Sequence, residues 1–211
     1  MSTVEPSKQE LLRTDPRRFD TDSLRFEGLR GDSARHLGRR ALEAGLLGLS
    51  AAPRDQGTVE LMVARGPEGQ RELLEEAPLT VEGGMPGDRW AGDDRYGPTH
   101  QLATIRADVA RLIANGQPLE LHGDNLYLNL DLSADNLPSG TVVRMGEATL
   151  EVTPQAHNGC KKWAQRFGLD AMQLNLDSAF RPMRIRGMYF RVVEDGTVCV
   201  GDAVRVIRRS S

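Results

Sequence analysis

Cysteine is nearly absent from this chain, with Cys160 and Cys199 the two thiols among 211 residues. Two thiols make no disulfide framework and suit a reducing compartment, so the expected location is the cytoplasm. Long apolar runs are also missing. The most apolar stretch, Ala41 to Ala52, is interrupted by Glu43, and it is far shorter than the roughly 20 apolar residues of a membrane-spanning helix. The N-terminal residues mix acids with bases and carry no apolar centre of the kind a secretory signal requires. No membrane association is expected. Excess positive charge is lacking too. The formal net charge is -3, whereas neutralising phosphates demands a surplus of Lys and Arg on one face, which argues against a nucleic-acid partner. Missing as well are a second cysteine pair to complete a tetrahedral zinc site, a cysteine cluster for iron and sulfur, and a G-x-G-x-x-G dinucleotide fingerprint.

What is present is enough apolar material for a sizeable core, 39% of residues, in one domain with an appendage. Residues 1–57 read as a polar N-terminal arm followed by a short amphipathic helix from Ala34 to about Leu47, capped by Asp32 or Ser33. From residue 58 to 211 the texture becomes short apolar runs separated by Gly, Pro, Asn and Asp, which predicts a mainly β domain with short helices, an α+β barrel or sandwich. Expected strands are Val59 to Ala64, Leu79 to Glu82, Leu102 to Ile105, an interrupted strand through LELHGDNLYLNLDL, a hairpin over Val142 to Thr153, and three closing strands after Gly187. Expected helices lie over Ala107 to Ala114, after Cys160, and over Leu169 to Leu176. The alternation of Leu126, Leu128 and Leu130 with Tyr127 and Asn129 predicts a half-buried strand.

The stretch with most chemistry is TPQAHNGCKKWAQRFG, from Thr153 to Gly168. It sets Cys160 at a strand-to-helix corner among His157, Lys161, Lys162 and Arg166, where positive charge and a helix start favour the thiolate. His157 as a cation lowers the thiol pKa, and as a neutral imidazole it takes the thiol proton; a turn histidine bonded to backbone is the plainer reading. A soft thiolate suits a soft metal centre or accepts a sulfane sulfur, while a buried structural cysteine is the inert alternative. A Cys-His protease needs an orienting third residue and an oxyanion hole that the sequence does not identify. Cys199, between two valines in a strand, reads as packing.

Arg184 and Arg186 precede a strand, where alternation predicts that both face one side and offer bidentate forks to an anionic ligand. Asp124 and Asn125, in Gly123 to Leu126 (GDNL), either serve a ligand or form a β-bulge. Asp88 and Arg89 are expected to pair with each other, with Arg89 also a candidate for ligand binding. His100, at the end of a Gly- and Asp-rich loop, is either an acid or base of the site or a structural histidine.

Taken in order, GMPGDRW, THQ, GDNL, VRMGEATLEVT, HNGCKKWAQRFG and RIRGMYFRVVEDGTVCVGDAVRV resemble the MOSC domain, the module named for the C-terminal part of molybdenum cofactor sulfurases. The resemblance runs from about Thr58 to Ile207. It implies a closed or nearly closed β-barrel, a pocket for the molybdenum-pterin cofactor, and a cysteine, here Cys160, that either ligates molybdenum or carries a persulfide. On the first alternative the protein is similar to members that reduce N-hydroxylated bases and amidoximes, an oxidoreductase with an external reductase as partner. On the second it is a sulfur transferase that exchanges sulfur with a donor or acceptor protein. A pterin-binding module without turnover is the third. Pyridoxal phosphate is also associated with such domains, and nothing in the residues supports it independently.

Overall fold

The computed structural model describes residues 29–210, so the polar arm expected at the N-terminus lies almost wholly outside the described residues. Asp32 caps a single 3-10 turn, Ser33–Arg35, by accepting from the Ala34 amide. The first α-helix, α1 (Arg39–Gly48), begins four residues later. The expected continuous helix is therefore split, because His36 leaves the 3-10 turn in extended backbone and Gly38 caps the next element, also extended.

Next along the chain are β1 (Gln56–Arg65), β2 (Arg71–Leu74), β3 (Glu76–Leu79), β4 (Leu102–Arg106), α2 (Ala107–Ala114) and β5 (Leu126–Asn129). The remaining elements are β6 (Val142–Met145), β7 (Ala148–Val152), α3 (Lys161–Phe167), α4 (Leu169–Leu176), β8 (Met188–Glu194), β9 (Gly196–Cys199) and β10 (Ala203–Arg208). Seven strands close a barrel in the order β1, β10, β6, β7, β8, β4, β5 and back to β1, while β2 extends the far end of β1 as a hairpin partner. β3 and β9 form a separate two-stranded sheet. The barrel is antiparallel except for β4 with β5; a parallel pair needs a crossover, and α2 supplies it. Gly187, at φ +90, lets the chain enter β8 against β4, since a Cβ there would lie 1.9 Å from the Thr104 carbonyl oxygen.

Val59, Met62, Leu126, Leu128, Leu150 and Phe190 fill the barrel. A second core of Leu42, Leu46, Ile113, Trp163, Phe167 and Leu174 is built by the four helices. It fixes α3 and α4 against the barrel, and with them the cysteine turn. Burying a side chain such as Phe167 stabilises by about 1.5–3 kcal/mol.

Three local expectations are corrected. The strand placed over Leu79 to Glu82 lies earlier, at β3, because Thr80 and Gly84 exchange backbone hydrogen bonds and turn the chain. The first arm of LELHGDNLYLNLDL is a 3-10 turn, Leu119–His122, rather than a strand. β5 is buried on both faces, because Tyr127 packs outward beneath α2 with Val63, Ile105 and Ala110.

Candidate functional site

Thr153 leaves β7 anchored twice, its amide to the Tyr189 carbonyl at 3.0 Å and its hydroxyl to the Thr99 carbonyl at 2.8 Å. The turn then runs to Gly159, whose φ of +75 favours glycine and whose missing Cβ would sit 3.0 Å from Met172 Sδ. Cys160 follows in extended backbone, and its carbonyl accepts from the Trp163 and Ala164 amides at 3.0 Å each, opening α3. The Cys160 thiol is exposed. It lines a pocket of about 400 Å³ together with Arg65, Arg71, Arg89, Lys162, Arg166 and Arg186.

Beneath the turn, Trp163 Nε1 donates to His122 Nδ1 at 3.2 Å, and the ring's other nitrogen lies 2.9 Å from the Ala110 carbonyl. This assigns the proton to Nε2. The His122 ring stacks on Phe167 at 4.1 Å, and burial pushes its pKa down to about 3. A neutral, fully enclosed imidazole thus locks α3 under Cys160.

The arginines of the pocket divide into two groups. Arg186 Nη1 donates to both oxygens of Asp124, at 2.8 and 2.6 Å, and Nη2 to the His122 carbonyl at 3.1 Å. Burial pushes the Asp124 carboxyl above the ordinary carboxylate range, with Arg186 pulling the other way. Arg65 grips Asp88 through Nε and Nη2 at 2.8 and 2.9 Å; although burial raises the Asp88 carboxyl, the Arg65 guanidinium carries it below the usual range. These two arginines have counter-charges. Arg71, Arg89 and Arg166 form no ion pair among the described residues. Arg71 Nε and Arg166 Nη1 donate instead to the Glu120 and Leu121 carbonyls, at 3.2 and 2.8 Å. Burial lowers Arg71 to about 10, with Arg166 and Arg89 adding to the shift. Burial lowers Arg166 too, and Cys160 acts in the opposite direction. Asp93, paired with Arg95, is the one carboxylate lining the pocket among the described residues, so the charge of these three arginines is only partly offset, an arrangement that suits an anionic ligand.

The predicted residues scatter more than the sequence suggested. Cys160, His157, His100, Arg89, Lys162 and Arg186 line the pocket, and Lys161 lies beside it on the exposed face of α3. Asn125 is buried in the barrel, its Oδ1 accepting from the Ala103 amide while Nδ2 donates to the Val63 carbonyl and to Asp88. Asp124 is wholly buried and meets the site through Arg186. Asp88 pairs with Arg65, not with Arg89, because its neighbour turns outward into the pocket. Arg184 and Arg186 do not share a face: Arg184 adopts φ +50, which breaks the strand alternation, and it lines a different cavity. His157 is held neutral, its pKa pushed well below the histidine range by burial and by the Arg186 and Arg65 charges. Its ring lies 4.4 Å from that of Tyr189, and Nδ1 stands 3.6 Å from Asp124. His100, 5.1 Å from the same tyrosine ring, is lowered by burial.

Sequence reasoning missed Arg65, Arg71, Trp90, His122 and Tyr189, all of which line the pocket. Arg71 had a readable signal, as a basic residue in a short strand after a Gly-Pro turn. Trp90 is held within its own loop by Asp88 and Gly97, whereas Arg65, His122 and Tyr189 are brought to the pocket by contacts distant in sequence.

Comparison with known proteins agrees with this architecture. The fold resembles YiiM from Escherichia coli, with a TM-score of 0.50, 22% identity, and coverage of 73% of this chain and 71% of that one. It also resembles the YuaD protein from Bacillus subtilis, with a TM-score of 0.52, 16% identity, and coverage of 73% and 97%. In sequence, the uncharacterized protein YflK of Bacillus subtilis (strain 168) is 33% identical over 87 residues, 41% of this chain and 37% of that protein. The aligned part thus spans little more than a third of that relative. The model of the MOSC domain matches residues 82–205, more than half of the chain and every strand from β4 to β9. The chain belongs to the MOSC domain family.

Proposed function

We propose that the pocket binds a phosphorylated molybdenum-pterin cofactor, with Cys160 as the protein ligand to the metal, and that the protein supports reduction of N-hydroxylated substrates with electrons from a separate redox partner. The observation that carries this reading is the exposed Cys160 thiol in one pocket with Arg71, Arg89 and Arg166, guanidinium groups with no carboxylate at ion-pair distance among the described residues. The donor set fits the group. No cluster of three or more His, Cys, Asp or Glu side chains among the described residues could hold a bare metal ion, whereas a metal that arrives on an organic ligand needs one soft protein donor, and a thiolate is suited to it. The guanidinium forks suit a phosphate.

When bound, the cofactor would supply a two-electron metal centre open to substrate. Arg71, Arg89 and Arg166 would hold the anionic end of the cofactor, and the Cys160 sulfur is presented on a turn braced by Trp163 and His122. The chain also places a neutral imidazole, His157, beside the reaction volume. Converting an N-hydroxyl group to the amine takes up two electrons and two protons and releases water. The two cysteines of the chain fall short of the four that a ferredoxin-type iron-sulfur cluster takes, hence the external donor. The test is turnover of a simple aryl amidoxime with a reduced viologen as donor. Cofactor-loaded protein is expected to form the amidine and Cys160→Ala to form none; equal rates in both would refute the assignment.

The exposure of Cys160 favours a second reading, a persulfide carrier, since an acceptor protein can reach that sulfur directly. One added sulfur on Cys160, removable by reductant after incubation with a cysteine desulfurase and cysteine, would support it.

A further inference from the structure

A second cavity of about 410 Å³ lies behind the cysteine turn. It shares Gln155, Ala156, His157 and Asn158 with the first pocket, so one stretch of the turn lining has a cavity on either side. Its size is that of a small-molecule site. Ala134, Pro154, Pro182 and Met188 give it apolar surface, and its polar lining includes Asn175, Ser178, Arg181 and Arg184.

Two of these, Asn175 and Arg184, are under-used by the fold. Asn175 is only 6% exposed. Its Oδ1 accepts from the Arg186 amide at 3.2 Å, which fixes the side chain, yet its Nδ2 has no hydrogen-bond partner. An unsatisfied buried donor of this kind costs about 1–3 kcal/mol, so it calls for an acceptor. Arg184 is half-buried in left-handed backbone, and Nη1 is held by the Leu132 and Leu137 carbonyls at 3.3 and 2.8 Å and by Met188 Sδ. No carboxylate among the described residues pairs with it, and burial lowers its pKa. A charged planar donor and a neutral donor therefore line one cavity, and neither lines the first pocket.

We infer that this cavity binds a small organic monocarboxylate, its carboxylate held by Arg184 and Asn175 Nδ2 and its apolar body by the proline and methionine walls. The inference is independent of the molybdenum reading, since no residue that would hold the cofactor takes part. It is tested by titrating the full-length, 15N-labelled protein with benzoate and, separately, with benzyl alcohol, a neutral molecule of similar shape. The reporters are the backbone amides of Ser178 and Gly187, which line this cavity and not the first. Benzoate is expected to shift both amides saturably in the native protein and equally in Arg71→Gln, which removes a cation of the first pocket. Arg184→Gln should raise the midpoint at least about tenfold, and Arg184→Lys should recover part of that loss. Asn175→Asp, nearly isosteric and repulsive to a carboxylate, should abolish the shifts. Three results would overturn the inference: unmoved reporters, equal response to benzyl alcohol, or a response lost in Arg71→Gln and kept in Asn175→Asp.

Discussion

Arg186 and Asp124 form a closed ion pair directly under the cysteine pocket, with Arg186 Nη1 at 2.8 and 2.6 Å from the two carboxylate oxygens and neither side chain more than 5% exposed. The pair ties the segment entering β8 to the loop entering β5. The same guanidinium lies 5.3 Å from the centre of the Trp163 ring, so it reaches α3 as well. Three segments that meet around Cys160 are joined through one arginine.

Removing one partner leaves the other buried and uncompensated. Asp124→Asn is expected to destabilise the fold by about 3–5 kcal/mol, read as a lower urea midpoint at pH 7. The double variant Asp124→Asn/Arg186→Met should recover part of that loss, because an apolar pair has no charge to desolvate. A double variant no more stable than the single one would show that the pair does more than balance charge.

Stability should fall as the solution is acidified below about 6.5, the ordinary histidine value. His122 and His157 are both held neutral in the folded protein, His122 with a pKa of about 3 and His157 well below its usual range, in each case chiefly through burial. The unfolded chain takes up these protons near 6.5 while the folded chain refuses them. The contribution is therefore complete above 6.5 and is lost progressively as pH falls toward the folded values, by up to about 1.4 kcal/mol per pH unit for each group. Urea midpoints between pH 7.5 and 5 measure the slope, and His157→Asn should reduce it by one proton's worth.

Gly159→Ala should disturb the site more than the fold. An alanine at φ +75 is strained by roughly 1–2 kcal/mol, and its Cβ would press on Met172 Sδ at 3.0 Å. The expected outcome is a modest loss of stability with a large loss of cofactor retention. Gly48→Ala serves as the control, since nothing lies within 4 Å of its added carbon.

The two thiols should differ in reactivity. Cys160 is exposed, whereas Cys199 is partly covered and its thiol is raised by burial and by the nearby Asp202 and Glu76. Iodoacetamide at neutral pH should label Cys160 first, as read by peptide mass spectrometry, and preferential labelling of Cys199 would contradict the exposed placement of the turn.

Much of this could be read in the residues because it is local. α2 and α4 lie where their apolar spacing and flanking turns put them, the hairpin of β6 and β7 follows its Gly146 turn, and α3 opens at Cys160 as the strand-to-helix corner implied. The misplacements arise where distant contacts decide. Tyr127 looks outward-facing until α2 covers it, and Asp88 looks like a partner for Arg89 until β1 brings Arg65 within 2.8 Å. Asn125 and Asp124, neighbours in one tetrapeptide, part company: one knits β1 to β4, and the other holds Arg186. Arg184 escaped the alternation rule through a single left-handed residue that its own side chain gives no cause to expect.

The central claim is that Cys160 and its surrounding arginines hold a molybdenum cofactor, and metal stoichiometry tests it most directly. Protein purified from cells that make the cofactor and receive molybdate is expected to carry about one molybdenum per chain through a single soft thiolate ligand. Cys160→Ala should lose the metal, and Arg71→Gln combined with Arg166→Gln should retain far less of it. Native protein that takes up no molybdenum even when incubated with released cofactor, or Cys160→Ala that keeps a full complement, would contradict the account.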